Sequence, residues 1–412
     1  MRAAAPEPGA PAESLATLKS LAPETRPTVL HLRASGGLFG ADRVVLDLCT
    51  ELPRLGYRAL LVPLLDSDGG GQELRRAGEE RGIPVRSIEL RHRLDPSAVA
   101  KLERWAAIEG ATILHAHDYK SSAIVALARG SGARIATLHG RVGTDWKLKA
   151  YEALEARIVR RFDRVICVSE PMRAAEARPG FAPVVIPNGI DLAPFVAAPS
   201  QPGLRAALGL AADAELVGSV GRLSPEKGFD CLLQAVAQLA PERPRLHGVL
   251  IGEGPMRAAL LAQAETLGIG SRMHFLGLRP DLPALYPELD VFCMTSQREG
   301  LPLVLLEALA AERAALVTPV GGIPEVIAAR DGAGPVAWTF PAGDAAELAR
   351  KLVLLLADPE LRRSLGAAGR ARVLEHFSRA RMAQATAALY DQVLGRGAGH
   401  AASEHRAPGE RA

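Results

Sequence analysis

ELVGSVGRLSPEKGFDCLLQAVAQLA, residues 215–240, is the stretch that decides the fold. Glu215 to Val220 is an apolar run of strand length. GRLSPEKGFD (221–230) is a turn with Gly221 and Gly228 flanking two cations, and CLLQAVAQLA (231–240) repeats its apolar residues at helical spacing. A strand, a glycine turn and a helix make half of a β-α-β crossover, and such units build parallel sheets covered on both faces.

The same alternation runs outward in both directions. Downstream lie RLHGVLIG (245–252), MHFLG (273–277), DVFCMTS (290–296), AALVTP (314–319) and PVAWTF (335–340), separated by helical segments. Upstream lie TVLHLRA (28–34), RALLVPLL (58–65), PVRSIEL (84–90), TILHAHD (112–118), RIATLHG (134–140), RVICVSE (164–170) and PVVIP (183–187). DLAPFVAAPSQ (191–201) interrupts the pattern with prolines and no period, and from Asp344 to about Leu394 the chain reads as helical, with breaks near Pro359 and Phe377-Ser378. The expected architecture is α/β, with two Rossmann-like parallel-sheet domains, 28–195 and 196–375, facing a central cleft. A C-terminal helix, 376–395, is expected to pack across them, with disordered tails at 1–27 and 396–412.

Composition agrees with this division. The 412 residues are 48% hydrophobic, 23% charged and 4% aromatic, too long for one core at roughly 100–200 residues per domain. Lys plus Arg is 49 against 46 for Asp plus Glu, a net +3, so no general attraction for polyanions follows and nucleic acid is not an expected partner. No stretch reaches the roughly 20 apolar residues of a membrane span. Residues 1–27 lack the basic start and apolar block of an export signal, so the chain reads as cytoplasmic. Cys49, Cys167, Cys231 and Cys293 form no Cys-x-x-Cys pair and are expected as reduced thiols, Cys167 and Cys293 inside apolar runs.

In open parallel sheets ligands bind beyond the carboxyl ends of the strands, so the strand-to-helix loops are where chemistry is expected. Arg222 and Lys227 bracket the first such turn, where two cations and helix-terminal amides suit a diphosphate. In REGLPLVLLEALA (298–310), Glu299 and Glu307 have seven residues between them. Pro302 fits the first turn of a helix, putting Glu299 at its entrance and Glu307 about one turn inside, with amides near Leu303 and Val304 at the dipole's positive end. Beside a phosphate, these carboxylates suit hydroxyls: sugar for Glu299, ribose for Glu307. GGIPEVI (321–327) and IGEGP (251–255), with Gly252, are glycine turns after strands, and ASGGLFGADR places Gly36, Gly37 and Gly40 after the first strand. That GGxxG spacing is not the dinucleotide fingerprint, which argues against a dehydrogenase.

His139 ends a strand and is read as a hydrogen-bond donor in the crevice. His115 and His117 share one strand face, but no third histidine, cysteine or acidic cluster stands beside them in sequence, so no metal is expected and His115 reads as a core residue. Asn188 in PNGID reads as a turn residue, with a further place at the inter-domain wall. The segment 146–162 carries Lys147, Lys149, Arg157, Arg160 and Arg161 among Glu152 and Glu155, a solvated face with weak peripheral attraction to anionic lipid as the other reading.

GRLSPEKG, the glutamates of EGLPLVLLEA, GGIPE, PNGID, GEGP and GGLFGADR, over roughly 28–395, together resemble the retaining glycosyltransferases of family four, which have the GT-B architecture. The resemblance implies a nucleoside-diphosphate sugar donor held mainly by the second domain, with Arg222 and Lys227 on the diphosphate, Glu307 on the ribose and Glu299 on sugar hydroxyls. It further implies donor-facing amides at Gly300, Leu301, Pro302 and Leu303, approach of Gly37 and Gly252, His139 beside the reacting sugar, and Arg279 near the base. The acidic residue that commonly follows the family's glycine pair is displaced here to Asp42. The implied acceptor is a saccharide or lipid-linked hydroxyl, and no cofactor or metal is expected.

The chemistry follows physically. Sugar–phosphate cleavage leaves charge on the diphosphate, and without an Asp-x-Asp motif in these loops fixed cations and helix amides must hold it. A phosphorylase would need a pyridoxal-bearing lysine that nothing marks, an epimerase would need no acceptor, and a non-catalytic binder would have no use for the glutamates. The transfer reading requires Arg222 and Lys227 on one side of the cleft, neither buried against another acid.

Overall fold

The computed structural model describes residues 26–396 apart from 93, 94, 131, 141–145, 198–202 and 330–333, so the expected tails fall almost wholly outside the described residues. The first sheet holds β1 (Thr28–Ala34), β2 (Arg58–Leu65), β3 (Ile88–Glu89), β4 (Ala111–Ala116), β5 (Ala133–Leu138), β6 (Arg164–Cys167) and β7 (Val184–Val185), ordered β3-β2-β1-β4-β5-β6-β7. The second holds β8 (Glu215–Val220), β9 (Leu246–Ile251), β10 (Met273–Phe275), β11 (Val291–Met294), β12 (Ala315–Val317) and β13 (Trp338–Thr339), ordered β10-β9-β8-β11-β12-β13. All these strand pairings are parallel.

Central strands are buried on both faces because they are apolar nearly throughout: every residue of β2 except Arg58 is buried. Edge strands are shorter than their sequence runs. Only Ile88–Glu89 of PVRSIEL and Trp338–Thr339 of PVAWTF pair as strand, each having a neighbour on one side alone. The winding reverses between β1 and β4 in one sheet and between β8 and β11 in the other. Loops leaving those four strands therefore line the ligand crevice.

Two crossings fix the lobes. The Ile190 N–H donates to the Phe377 carbonyl and the Arg379 N–H to the Ile190 carbonyl, both at 2.9 Å, so outgoing and returning chains lie side by side. The approach leaves no room for a side chain at Gly189, where a Cβ would stand 2.2 Å from the Ser378 carbonyl oxygen. The helix Arg379–Val393 then docks on the first domain. Arg379 pairs with Glu51 at 2.8 Å, the Tyr57 hydroxyl donates to Asp391 at 2.6 Å, and Tyr390 is wholly buried.

One apolar cluster runs from Val44 and Leu48 through Leu301 and Leu303 to Met382 and Tyr390, so the two sheets share a core. Each large apolar side chain buried there, such as Met382, stabilises the junction by roughly 1.5–3 kcal/mol. The four cysteines are free and buried. Among the described residues, no helix is long and apolar enough to cross a membrane.

Candidate active site

At the end of β8 the chain turns at Gly221, φ +155°, into Arg222 and then a short turn, Pro225–Lys227, closed by Gly228 at φ +60°. The Lys227 stem folds back over Gly221, its Cε 3.7 Å from where a Cβ would stand, so both cations leave the same strand end. Lys227 Nζ donates to Glu299 Oε1 at 2.6 Å, and Ser296 Oγ donates to the same oxygen at 2.6 Å. The condition that neither cation lie against an acid is thus corrected for Lys227. The acid is itself a cleft residue, and the lysine side chain keeps 19% exposure. An ammonium has three donors, so this pair leaves two for an anion, and Oε2 of Glu299 is not used by either bond.

Arg222 reaches the first domain. Its guanidinium carbon lies 5.3 Å from the centre of the Phe39 ring, a cation–π contact across the cleft. Phe39 sits in the glycine loop that follows β1. Buried Asp42 anchors that loop by accepting the Phe39 N–H at 2.9 Å and Arg33 Nε at 2.9 Å, and Gly40 lies against Leu303. The displaced acidic residue therefore shapes the loop from inside the helix Gly40–Glu51.

The third wall is the loop between β11 and the helix Leu303–Ala310. A Cβ on Gly300 would fall 2.1 Å from the His139 carbonyl oxygen, and one on Gly321, at φ +56°, 1.9 Å from the Glu299 carbonyl oxygen. Gly300, Gly321 and Gly322 are thus glycines because three backbones meet there, and the Gly322 N–H donates to the Gly300 carbonyl at 2.7 Å. Asn188, buried at the inter-domain wall, donates to the Leu301 carbonyl at 3.1 Å. Leu301 and Leu303 bury their side chains, leaving backbone for the crevice. Pro302 is the residue preceding the helix rather than its first member, and no side chain caps the amides that follow. Arg222, Lys227, Glu299, the helix start and the first-domain loop therefore converge on one cleft.

Residues 200–372 match the family described as Glycosyl transferases group 1, and residues 40–194 match Glycosyltransferase Family 4. The chain is 30% identical over 316 residues to the alpha-maltose-1-phosphate synthase of Mycolicibacterium smegmatis, covering 69% of this chain and 80% of that one. The chain belongs to glycosyltransferase family 4. It is also 31% identical over 245 residues to the lipopolysaccharide core biosynthesis mannosyltransferase LpcC of Rhizobium leguminosarum bv. viciae, 58% of this chain and 67% of that one. The fold matches Anabaena Alr3699/HepE in complex with UDP and glucose, TM-score 0.77, 24% identity, covering 89% of this chain and all of that one. The protein is a glycosyltransferase with the GT-B fold.

The donor-side residues of this family 4 enzyme also make contacts within the protein. Glu307 lies one turn inside its helix but is wholly enclosed. Arg43 Nη2 of the first domain contacts Oε1 at 2.5 Å, and the Tyr286 hydroxyl donates to Oε2 at 2.9 Å. In this arrangement it is an inter-lobe ion-pair partner. Burial and the adjoining Glu307 hold the Tyr286 hydroxyl well above its usual range, and Glu307 raises Arg43 against the opposing effect of burial. Gly252 gives its N–H to the Gly277 carbonyl at 2.8 Å, and a Cβ there would stand 2.0 Å from the Gly221 carbonyl oxygen; it braces the cation turn from behind. The Gly37 N–H goes to Ser35 Oγ at 3.2 Å, and Phe39 of the same loop reaches the second domain. Arg279, beyond β10, gives Nε and Nη2 to Asp281 at 2.8 and 2.5 Å.

Among the histidines, His115 fits the expectation and His31 does not. His115 is a core residue, with Nδ1 2.6 Å from the Tyr390 hydroxyl and Nε2 2.8 Å from Thr137 Oγ1. A third histidine does accompany His115 and His117, because the β1–β4 register sets His31 opposite His115. His31 Nδ1 lies 3.0 Å from His117 Nε2, and His117 Nδ1 lies 3.1 Å from His139 Nε2. Nitrogens of His31, His115 and His117 come within 4.8 Å of one another. Those of His115 face hydroxyls and the His31–His117 contact is a hydrogen bond, so the set reads as a hydrogen-bonded network. Burial pulls His31 and His139 down to about 3. Outside the loops first considered, Asp66-Ser67-Asp68 spells an Asp-x-Asp after β2, where Asp66 accepts Lys120 Nζ at 2.7 Å.

Proposed function

We propose that this glycosyltransferase moves a hexosyl group from a nucleoside-diphosphate sugar to a hydroxyl of a saccharide or lipid-linked acceptor in glycan or glycolipid assembly, with retention and without a metal ion. The observation that carries the reading is the convergence of Arg222, Lys227 and the uncapped start of the helix Leu303–Ala310 at one cleft wall. Those groups stabilise the charge that grows on the departing diphosphate, and a fixed array needs no reorganisation during reaction. Glu299 orients Lys227 through Oε1 and takes a sugar hydroxyl on Oε2. His139 stands beside the transferred sugar.

In retention the acceptor oxygen attacks the sugar on the face the diphosphate leaves, and a phosphate oxygen takes the acceptor proton. No protein carboxylate becomes a covalent nucleophile. Closure of the lobes excludes water, whose attack is the competing reaction. The relatives' names, one a mannosyltransferase and one a sugar-phosphate synthase, support transfer over epimerisation, and the UDP and glucose of the Anabaena structure support a nucleoside-diphosphate donor. Contact with an anionic lipid surface would use the helix Trp146–Ile158, where Tyr151 and Leu154 are exposed, with Arg160, Arg161 and Arg164 beyond it. The deciding experiment incubates the full chain with a panel of nucleoside-diphosphate sugars, with and without chelator. Expected are a thermal shift and nucleotide release for one donor, unchanged by chelator, and an anomeric configuration kept in the product. Failure of every donor defeats the transfer reading, loss of turnover with chelator defeats metal independence, and an inverted product defeats retention.

A further inference from the structure

We infer that His117 and His31 are positioning residues for His139: the three imidazoles form one hydrogen-bonded chain that fixes which nitrogen of His139 carries its proton. The chain runs His31 Nδ1 to His117 Nε2 at 3.0 Å and His117 Nδ1 to His139 Nε2 at 3.1 Å. Its two ends, His31 Nε2 and His139 Nδ1, are buried nitrogens with no hydrogen-bond partner among the described residues. Each N···N bond needs one N–H and one lone pair, and a neutral imidazole carries one of each. Fixing the proton on any ring therefore fixes all three, and the chain has two states only. In one, all three protons sit on Nδ1, His31 offers a lone pair, and His139 buries an N–H with no acceptor. In the other, all three sit on Nε2, His139 offers a lone pair, and His31 buries an N–H with no acceptor.

Both end nitrogens are buried, so each state leaves one N–H and one lone pair without a partner, and what the chain fixes is that the three rings share one state. His31 is wholly buried inside β1, whereas His139 is only partly covered and its carbonyl lies against Gly300. Burial opposes the charged form of all three rings, and Arg33 adds to this at His139 and His117, which removes the alternative of a central imidazolium donating both ways. His115 lies outside the chain, its nitrogens on the Tyr390 and Thr137 hydroxyls.

The consequence for transfer rests on the placement of His139 beside the sugar, but the relay itself is tested without turnover. The full chain is labelled with 15N in its imidazoles, and two-bond 1H–15N correlation spectra identify the protonated nitrogen of each ring, assigned by single histidine variants. The same nitrogen protonated on His31, His117 and His139, Nδ1 in all or Nε2 in all, is the expected result. A mixed pattern, an imidazolium, or signals displaced by a metal that elemental analysis finds at one per chain would each overturn it. In His117→Phe, the His139 tautomer is expected to change and kcat to fall about 2- to 12-fold, the span of one net hydrogen bond. His115→Gln, which removes a core contact of similar burial, should leave the His139 signals and kcat unchanged. An unchanged His139 tautomer in folded His117→Phe overturns the relay. A changed tautomer with unchanged kcat leaves the relay standing and removes His139 from the reacting sugar.

Discussion

Arg43→Met tests whether Glu307 is held by the opposite lobe. The carboxylate has no solvent exposure, Arg43 contacts it at 2.5 Å with 34% of its own side chain exposed, and Tyr286 supplies the second partner at 2.9 Å. Removing one member of a buried ion pair costs roughly 3–5 kcal/mol, because the remaining charge is left uncompensated. The partial exposure of Arg43 and the retained tyrosine bond place this case at the low end, about 3 kcal/mol. Adding Glu307→Gln removes the stranded charge while keeping an acceptor for Tyr286, and about 2 kcal/mol should return.

Urea unfolding of the single and double variants measures the cycle, with Trp105 in the first lobe and Trp338 in β13 as reporters. Arg43→Met within about 0.5 kcal/mol of the parent chain, or a double variant no more stable than Arg43→Met, would refute the account. Donor binding supplies an independent arm. If the Arg43 and Tyr286 contacts hold Glu307 away from the donor, Glu307→Gln should shift the Kd for the nucleoside-diphosphate donor less than about 3-fold, a difference below 1 kcal/mol. A tenfold loss would instead restore the ribose contact and require the ion pair to open when donor binds.

Arg222→Ala and Lys227→Ala should each lower kcat about 10²- to 10³-fold, the cost of losing one preorganised charge-stabilising donor, with unfolding curves close to the parent; near-normal turnover in both removes the cations from the mechanism. Gly300→Ala should destabilise the chain and weaken lobe contact, because its Cβ would fall 2.1 Å from the His139 carbonyl oxygen; a variant that melts and turns over like the parent contradicts that approach. Acid should destabilise the protein through its buried histidines. The folded values of His31 and His139 lie near 3, against 6.5 for a free imidazole, so below 6.5 the unfolded chain binds the extra protons. Stability is therefore full above that pH and falls below it by up to roughly 1.4 kcal/mol per pH unit for each such histidine. Urea midpoints that stay flat from pH 7 to 5 would count against their burial.

What was legible in the sequence follows the range of the interaction involved. The βα unit at 215–240 has its signal within a few neighbouring residues, so its strand, glycine turn and helix could be located, and the ends of central strands were nearly right. The short edge strands were not, since pairing on one side depends on neighbours the local pattern does not contain. Arg222, Lys227 and Glu299 could be placed at the cleft because each stands in a strand-to-helix loop, a position fixed by topology. The corrections share the opposite character. Nothing near Glu307 in sequence announces Arg43, and nothing in TVLHLRA announces that His31 will stand beside His115 and His117.

Glycine lies between these cases. Gly221, Gly252 and Gly321 could each be marked as turn formers, but Gly252, Gly300 and Gly321 are required mainly because another backbone passes within about 2 Å of the missing Cβ. Gly252 braces Gly221 from behind, Gly321 supports Glu299, and Gly300 seats His139. The cation turn, the glutamate loop and the first-domain histidine are thus spaced by direct backbone contact. A shift in any one of these loops moves its neighbour, and the geometry that stabilises a leaving diphosphate is inherited from how closely three main chains pack.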